Sequence, residues 1–418
     1  MSDGIVFAGE YNIEYASILT PEGVELNVVK QITSLVVYED IFSPFITGTL
    51  FLRDTFDLPN VFGRGGMNSL KLKISTPTIS ENKKINLSCT IYKHEDRVVV
   101  ADRTQQYALH FISEESLQNQ KRISAAFNGS PSDIAGKIAR EHLRSKKPVI
   151  SSFSTNTIRY VSNFWTATQN LQYIAEQSSG KFGESFLFYE NRDGFNFSCI
   201  SELASKTIKP IQEFSDFEYV AKANNPTIPQ SVSRDLNLDY KSVLSVNMDV
   251  LYDYMNDYDS GMIKTKYYVA DPVLKKLSIR NFDMTEDNKV PLNENRLYTD
   301  YVIRNSYPVI MSSTSQYNTF NTGDPKNLKR TQRRISQISQ FKSSKLEIEV
   351  FGRTDYTVGK KVKLDSEQLR PFALGDSVED YSDKTISGNY IISAVAHRFM
   401  PDKHICTLEL VKDSTKLK

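Results

Sequence analysis

The end of the chain constrains its fold most. From Lys345 to Lys412 four short runs alternate apolar and polar residues, with turn residues between them. Leu346, Ile348 and Val350 are separated by Glu347 and Glu349, and Val362 and Leu364 are flanked by Lys361 and Lys363. Tyr390 to Val395 is a denser apolar run, and Ile405, Thr407 and Leu408 to Val411 close the series. A period of two sends successive side chains to opposite faces, so each run reads as a strand with one face buried. Such a meander closes a small barrel, and a barrel that carries no chemistry suggests a structural part.

A chain of 418 residues holds roughly two to four domains of ~100–200 residues. Its 22 Tyr and 23 Phe supply enough buried area for ordered cores. Lys and Arg number 51 against 50 Asp and Glu, so no global charge favours nucleic acid. Near-neutrality suits a protein that lives in an assembly. Cys89, Cys199 and Cys406 are far apart and each lies in an apolar alternating run. They read as buried hydrophobes in a reducing compartment rather than a disulfide framework. The opening MSDGIVFAGEYNIEY has no basic and apolar leader pattern, and no run is long and apolar enough to span a membrane.

Residues 1–113 read as a first β-barrel. Alternation at Ile46–Leu52, Leu70–Ile74, Ile85–Ile91 and Tyr107–Phe111 marks its strands. At 114–205 the period changes to that of an α/β unit with two helices and a hairpin. Ser130, Pro131 and Asp133 start one helix, with Ile134, Ile138 and Leu143 on its apolar stripe. Thr166 and Gln169 form a capping box for the second, and Gly180 is its expected stop. Asn191-Arg-Asp-Gly194 is the hairpin turn. Residues 206–230 form a connector. Val243–Val250 and Met262–Val269 read as a strand pair around a polar loop. Residues 271–341 are a loop-rich insertion ending in a basic helix, Asn327 to Phe341, with Leu328, Ile335 and Ile338 inward. Residues 413–418 are a tail. The fold class is mainly β with α/β insertions.

No catalytic, metal-binding or cofactor-binding residue is expected. The histidines His94, His110, His142, His397 and His404 fit no zinc spacing and read as structural. Gly63-Arg64-Gly65-Gly66 lacks the Lys-Ser/Thr end of a phosphate loop and reads as a turn. Asp253, Asp257, Asp259 and Gly261 resemble part of a calcium loop but lack its closing Glu, so a solvated hairpin loop is expected. Glu367, Asp376, Glu379, Asp380 and Asp383 lie in polar sequence that gives no reason for a raised pKa. Lys326, Lys329, Arg330, Arg333 and Arg334 cluster on the basic helix. The competing readings are a solvated face and a docking surface for an acidic partner or for phosphate, the latter through Lys329, Arg330, Arg333 and Arg334.

Four ordered regions carry a family resemblance. They are the strand pair Ile32–Asp40 and Phe45–Asp54, then Phe164–Leu171 with Phe186–Glu190 and Asp193–Phe195, then Asp259–Met262 feeding a strand that ends near Asp271, and finally Val358–Val362 with Ser387–Tyr390 and His397. In this order they resemble the baseplate central hub proteins of contractile-tailed phages, a shape shared with phage late-control proteins and the hub half of VgrG-type secretion spikes. The resemblance implies two tail-tube-like barrels per chain, the first at 1–113 and the second split between 231–270 and 342–412, and a homotrimer whose ring of six barrels joins a sixfold tail tube to a threefold central spike. It implies tube or tube-initiator and spike partners, possible wedge contacts, and passage of the genome through the lumen without sequence-specific binding. It implies a virion location, with assembly in the host cytoplasm, and no enzyme activity. The same architecture would serve a type VI secretion or phage-derived injection spike. A β-domain cell-wall hydrolase is the remaining alternative, and it requires a buried acid pair or metal cluster.

Overall fold

The computed structural model describes residues 7–62, 67–77, 79–181, 184–205, 216–219, 240, 242–250, 253–271, 275–284, 291–296, 309–312, 327–366 and 383–415. The Gly63–Gly66 turn, most of the 206–230 connector and the acidic residues Glu367, Asp376, Glu379 and Asp380 lie outside them.

The first part of the chain builds β1 (Asn12–Leu19), β2 (Glu25–Asn27), β3 (Ile32–Asp40), β4 (Thr47–Asp54), the turn-like α1 (Leu58–Val61), β5 (Asn68–Ser75), β6 (Ile85–Ala101) and β7 (Thr104–Ser113). All neighbouring strands here are antiparallel, in the order β3-β4-β7-β6-β5-β1-β2. The alternating residues predicted as core do face inward. Leu50, Leu52, Leu70, Leu72, Ile74, Leu109 and Phe111 share one hydrophobic cluster. Gly48 permits a close strand contact here, since a Cβ there would lie 2.4 Å from the Val36 carbonyl oxygen.

The α/β unit follows: α2 (Glu115–Gln118), β8 (Ala126–Gly129), α3 (Pro131–Glu141), β9 (Val149–Ser151), β10 (Ile158–Val161), α4 (Ala167–Gln177), β11 (Phe186–Asn191), β12 (Gly194–Cys199) and α5 (Ile200–Ser205). Ser130 caps α3 by accepting the Asp133 N–H, and Thr166 with Gln169 forms the complete capping box of α4. The α4 stop differs from expectation. The helix ends at Ser178, which turns extended and donates its Oγ hydrogen to the Ile174 carbonyl at 2.6 Å. Gly180 instead makes room for Glu184 and Cys199, which a Cβ would strike.

Beyond the connector lie β13 (Asp216–Tyr219), β14 (Val243–Val250), α6 (Tyr254–Asp259), β15 (Lys264–Asp271), β16 (Lys276–Asp283), β17 (Asn295–Arg296), β18 (Val309–Ser312) and α7 (Asn327–Ser343). The closing meander is β19 (Lys345–Phe351), β20 (Lys361–Ser366), β21 (Gly388–Met400) and β22 (Lys403–Val411), with the short β23 (Ser414–Thr415) after it. Two expectations are corrected. β14 does not pair with β15. It runs antiparallel to β19, while β15 forms a separate sheet with β16 and β18. The polar loop at 253–259 is helical, because Asp253 caps it by accepting the Asn256 N–H at 3.1 Å.

The two sheet regions are continuous rather than separate. β21 is 13 residues long, enough to serve both. Its first residues pair with β20. From Ala394 to Phe399 the same edge pairs with β3, while β22 occupies the other edge. One sheet of 13 strands results, with one core on the first-region side and another around β19–β22. A third core fills the α/β unit. β11 serves two of them by its period of two. Phe186 and Phe188 face the α/β core, and Leu187 and Tyr189 face the core of the closing meander. The chain is thus mainly β, with its longer described helices in the α/β unit and at α7.

Candidate functional site: a buried junction loop

The segment joining β19 to β20, Gly352 to Gly359, is buried at every residue. Buried loops are rare, because each backbone N–H and C=O must then find a partner inside the protein. This one finds them in three different parts of the chain. Thr354 exchanges two hydrogen bonds with Thr76, at 3.1 and 3.4 Å, just after β5. Arg192, in the hairpin turn of the α/β unit, donates to the Thr354 carbonyl at 2.7 Å and to the Lys83 carbonyl at 3.3 Å. Asn191 donates to the Val358 carbonyl at 3.3 Å. Glu39, on β3, accepts from the Thr357 hydroxyl and from the Val358 N–H at 3.2 Å. Gly359 ends the loop with φ +77 and leaves space for the Tyr189 ring, whose hydroxyl would lie 2.2 Å from a Cβ.

Electrostatics follow from that burial. Desolvation lifts the Glu39 carboxyl to about 7, against the lowering effect of its Thr357 and Val358 hydrogen bonds. A second buried charge group ties the α/β unit to the first sheet. Lys147 lies 2.6 Å from both Glu115 and Glu190. Glu190 also accepts from Ser113 at 2.6 Å and from the Ile46 N–H at 3.0 Å. Burial works against the Lys147 charge, yet Glu190 and Glu115 hold its pKa above the ordinary lysine value.

The basic helix α7 uses much of its charge internally. Arg330 is buried and donates to Gln177 at 2.8 Å, and Arg334 donates to the Phe186 carbonyl at 2.5 Å. Burial lowers the Arg334 pKa. Arg333 is half-buried, and the side chains of Lys326 and Lys329 lie outside the described residues. The expected apolar stripe is also different: Ile335 is exposed, and Gln332, Ser336, Gln337 and Gln340 are buried instead. The physical reason is the surface they meet. Gln332 and Ser336 donate to the carbonyls of Gly261 and Met262, and Gln337 accepts the Ser185 N–H.

Next to the loop, the β21–β22 hairpin brings three side chains together that sequence spacing keeps apart. His397 and Cys406 are directly opposed across the ladder, and His404 lies two residues before Cys406 on the same face. His397 Nδ1 lies 3.1 Å from His404 Nε2 and 3.1 Å from Cys406 Sγ, and the last pair is 3.3 Å apart. All three residues are fully buried. Loop-type zinc spacings miss this group because a hairpin, not a sequence interval, sets the separation. Cys89 and Cys199 are free and buried as expected. Among the described residues no helix is long and apolar enough to cross a membrane.

Exposed apolar residues mark two open strand edges. β6 pairs with β5 only as far as Ile91. Beyond that its outer edge has no strand partner among the described residues, and Tyr92, Val98, Val99 and Val100 are exposed there. Among the described residues β14 pairs with β19 alone, and it carries exposed Leu244 and Met248.

No family model matches the chain. It is 23% identical over 296 residues to the probable baseplate hub protein gp334 of Vibrio phage KVP40, covering 67% of this chain and 65% of that protein. The match thus spans about two thirds of the relative's length. The fold is similar to a tail protein from Neisseria meningitidis MC58, with TM-score 0.59 and 11% identity over 96% of this chain and 97% of that one. It is also similar to the 43 kDa tail protein of prophage MuSo2 from Shewanella oneidensis, with TM-score 0.56 and 11% identity over 97% of this chain and 100% of that one. The chain is thus similar in sequence to a probable baseplate hub protein, and it shares its fold from end to end with two tail proteins.

Proposed function

We propose that the chain is a structural subunit of the virion: the trimeric hub of a baseplate, joining a sixfold tail tube to a threefold central spike, without catalysis. The observation that carries this reading is the continuity of the sheet through β21. One chain presents two regions of a single continuous sheet, at 1–113 and around β19–β22, each with its own core. Three copies then offer six such regions on one face, which is what a symmetry adaptor needs. On this reading each region is a tube-like barrel, the α/β unit at 114–205 and the insertion at 271–341 decorate the ring, and the genome passes through the lumen. The buried loop supports a rigid subunit, because it locks both regions and the α/β unit to one another.

Two edges with exposed apolar residues, among the described residues, would supply a closing interface. The β14 edge belongs to the second region and the outer β6 edge to the first. A head-to-tail contact between unlike edges makes a ring when its rotation closes, and hides both edges from other chains. The partners would be the spike below, tube or tube-initiator proteins above and wedge proteins around. The test is to co-express the chain with the spike protein of the same phage and measure the mass of the complex. Three chains bound to one spike trimer are expected. A stable monomer that never joins the spike overturns the reading.

A further inference from the structure

We propose that His397, His404 and Cys406 form a metal site, which binds a zinc-class divalent cation at the seam between the two sheet regions. Three donor atoms converge, from two imidazoles and one thiol, at mutual distances of 3.1, 3.1 and 3.3 Å. A tetrahedral zinc with bonds of ~2.0–2.1 Å to nitrogen and ~2.3 Å to sulfur holds its donors about 3.4–3.6 Å apart. The side chains need to spread by only a few tenths of an ångström to accept the ion, about the freedom of a small rotation at each Cβ. Two nitrogens and one sulfur are the donor set that zinc prefers.

The surroundings orient these donors. His397 Nε2 faces the Tyr356 carbonyl at 3.2 Å. A carbonyl only accepts, so Nε2 carries the hydrogen and Nδ1 presents its lone pair to the other two residues. A ligating histidine whose second nitrogen donates to a backbone carbonyl is the usual support of a metal site. The His404 ring is clamped flat. It stacks on Phe399 with centroids 4.0 Å apart, and rests on Gly352, where a Cβ would lie 2.2 Å from its Cγ. Only glycine at 352 leaves that ring its place.

Binding is a proton exchange at the sulfur. The Cys406 S–H bond breaks, a sulfur–metal bond forms, and the proton leaves to solvent, with no change of oxidation state. The three protein donors leave one tetrahedral position for water or another oxygen. The site would hold four segments together: the hairpin, the buried loop through Gly352 and Tyr356, the N-terminal segment whose Gly9 carbonyl accepts the His404 N–H at 2.8 Å, and β3, which pairs with β21 at His397.

The bland alternative is a neutral hydrogen-bonded His–His–Cys core, and metal analysis separates the two. Protein purified from zinc-supplemented cells is expected to hold about one zinc per chain, and Cys406→Ala less than about a tenth of that. After removal of metal and reconstitution with cobalt(II), the wild type should show thiolate-to-cobalt absorption. Cys89→Ala and Cys199→Ala should keep that absorption, and Cys406→Ala should lose it. Should Cys406→Ala not fold, zinc-edge X-ray absorption of the wild type must report one sulfur and two imidazole ligands. Folded wild-type protein that holds no metal after reconstitution overturns the proposal. So does metal retained by folded Cys406→Ala, or an absorption spectrum without sulfur.

Discussion

Lys147 shows how a single side chain can hold two parts of this molecule together. It comes from the α/β unit and neutralises Glu115 and Glu190, and Glu190 in turn accepts from Ser113 and from the Ile46 N–H of the first sheet. Taking away one member of such a group leaves the other charges buried and unpaired, which costs far more than the intact group contributes. Lys147→Met should therefore destabilise the chain by about 3 kcal/mol, read as a lower urea midpoint at unchanged slope. Glu39 gives a different signature. Its folded pKa is about 7 against an ordinary 4.5, so between those values the folded chain keeps a proton that the unfolded chain has released. Stability then falls as pH rises through that window and levels off above it. Glu39→Gln removes the ionisation. Relative to wild type the variant should gain on the order of 2 kcal/mol between about pH 5 and pH 8. A difference that stays constant with pH would mean that Glu39 is not the group responsible.

At the scale of elements, α4 and α7 test opposite kinds of sequence signal. The α4 capping box is local, and Thr166 and Gln169 close it in the structure as their spacing predicts. Thr166→Ala should cost about 1 kcal/mol in thermal or urea unfolding. The strands of the first region and of the closing meander are equally legible, because a period of two is written in neighbouring residues. α7 is legible only as a helix. Which face it buries depends on the carbonyls of Gly261, Met262 and Phe186, and these lie far away in sequence. Its five-residue basic cluster therefore divides in a way that composition does not reveal. Arg330 and Arg334 hold the α/β unit, so charge reversal there should lower stability. A docking role is proposed for Arg333 and Lys329. Arg333→Glu should weaken tube or neighbour binding at moderate salt and leave the melting temperature nearly unchanged. Unchanged assembly would return this face to a solvated role. The His397–His404–Cys406 group was hidden for the same reason as the α7 face. Its geometry exists only once a hairpin turn has folded the two strands together.

Among the described residues the large sheet has two unlike open stretches of edge with exposed apolar residues, on β6 and on β14, and this is the scale at which the proposed ring can be tested. An exposed strand edge with apolar residues is a liability in a free monomer, since it offers unpaired backbone groups to any other chain. Here Leu244 and Met248 mark one edge, and Val98, Val99 and Val100 the other. In a ring each edge would be covered by its counterpart on the next copy, so charge on either edge should have the same effect. The paired change Leu244→Lys with Met248→Lys should reduce the mass in solution from three chains to one by light scattering. Val99→Lys, on the opposite edge, should do so as well. Neither touches the three buried cores, so the unfolding free energy of the monomer should move by no more than ~0.5 kcal/mol. Mixing the two variants adds a further constraint. Each keeps one unaltered edge, so a head-to-tail contact allows a single productive interface between them and gives mixed dimers that cannot close. A self-complementary contact through one edge would instead leave one variant fully assembled, and that result would remove the head-to-tail ring while leaving the fold intact.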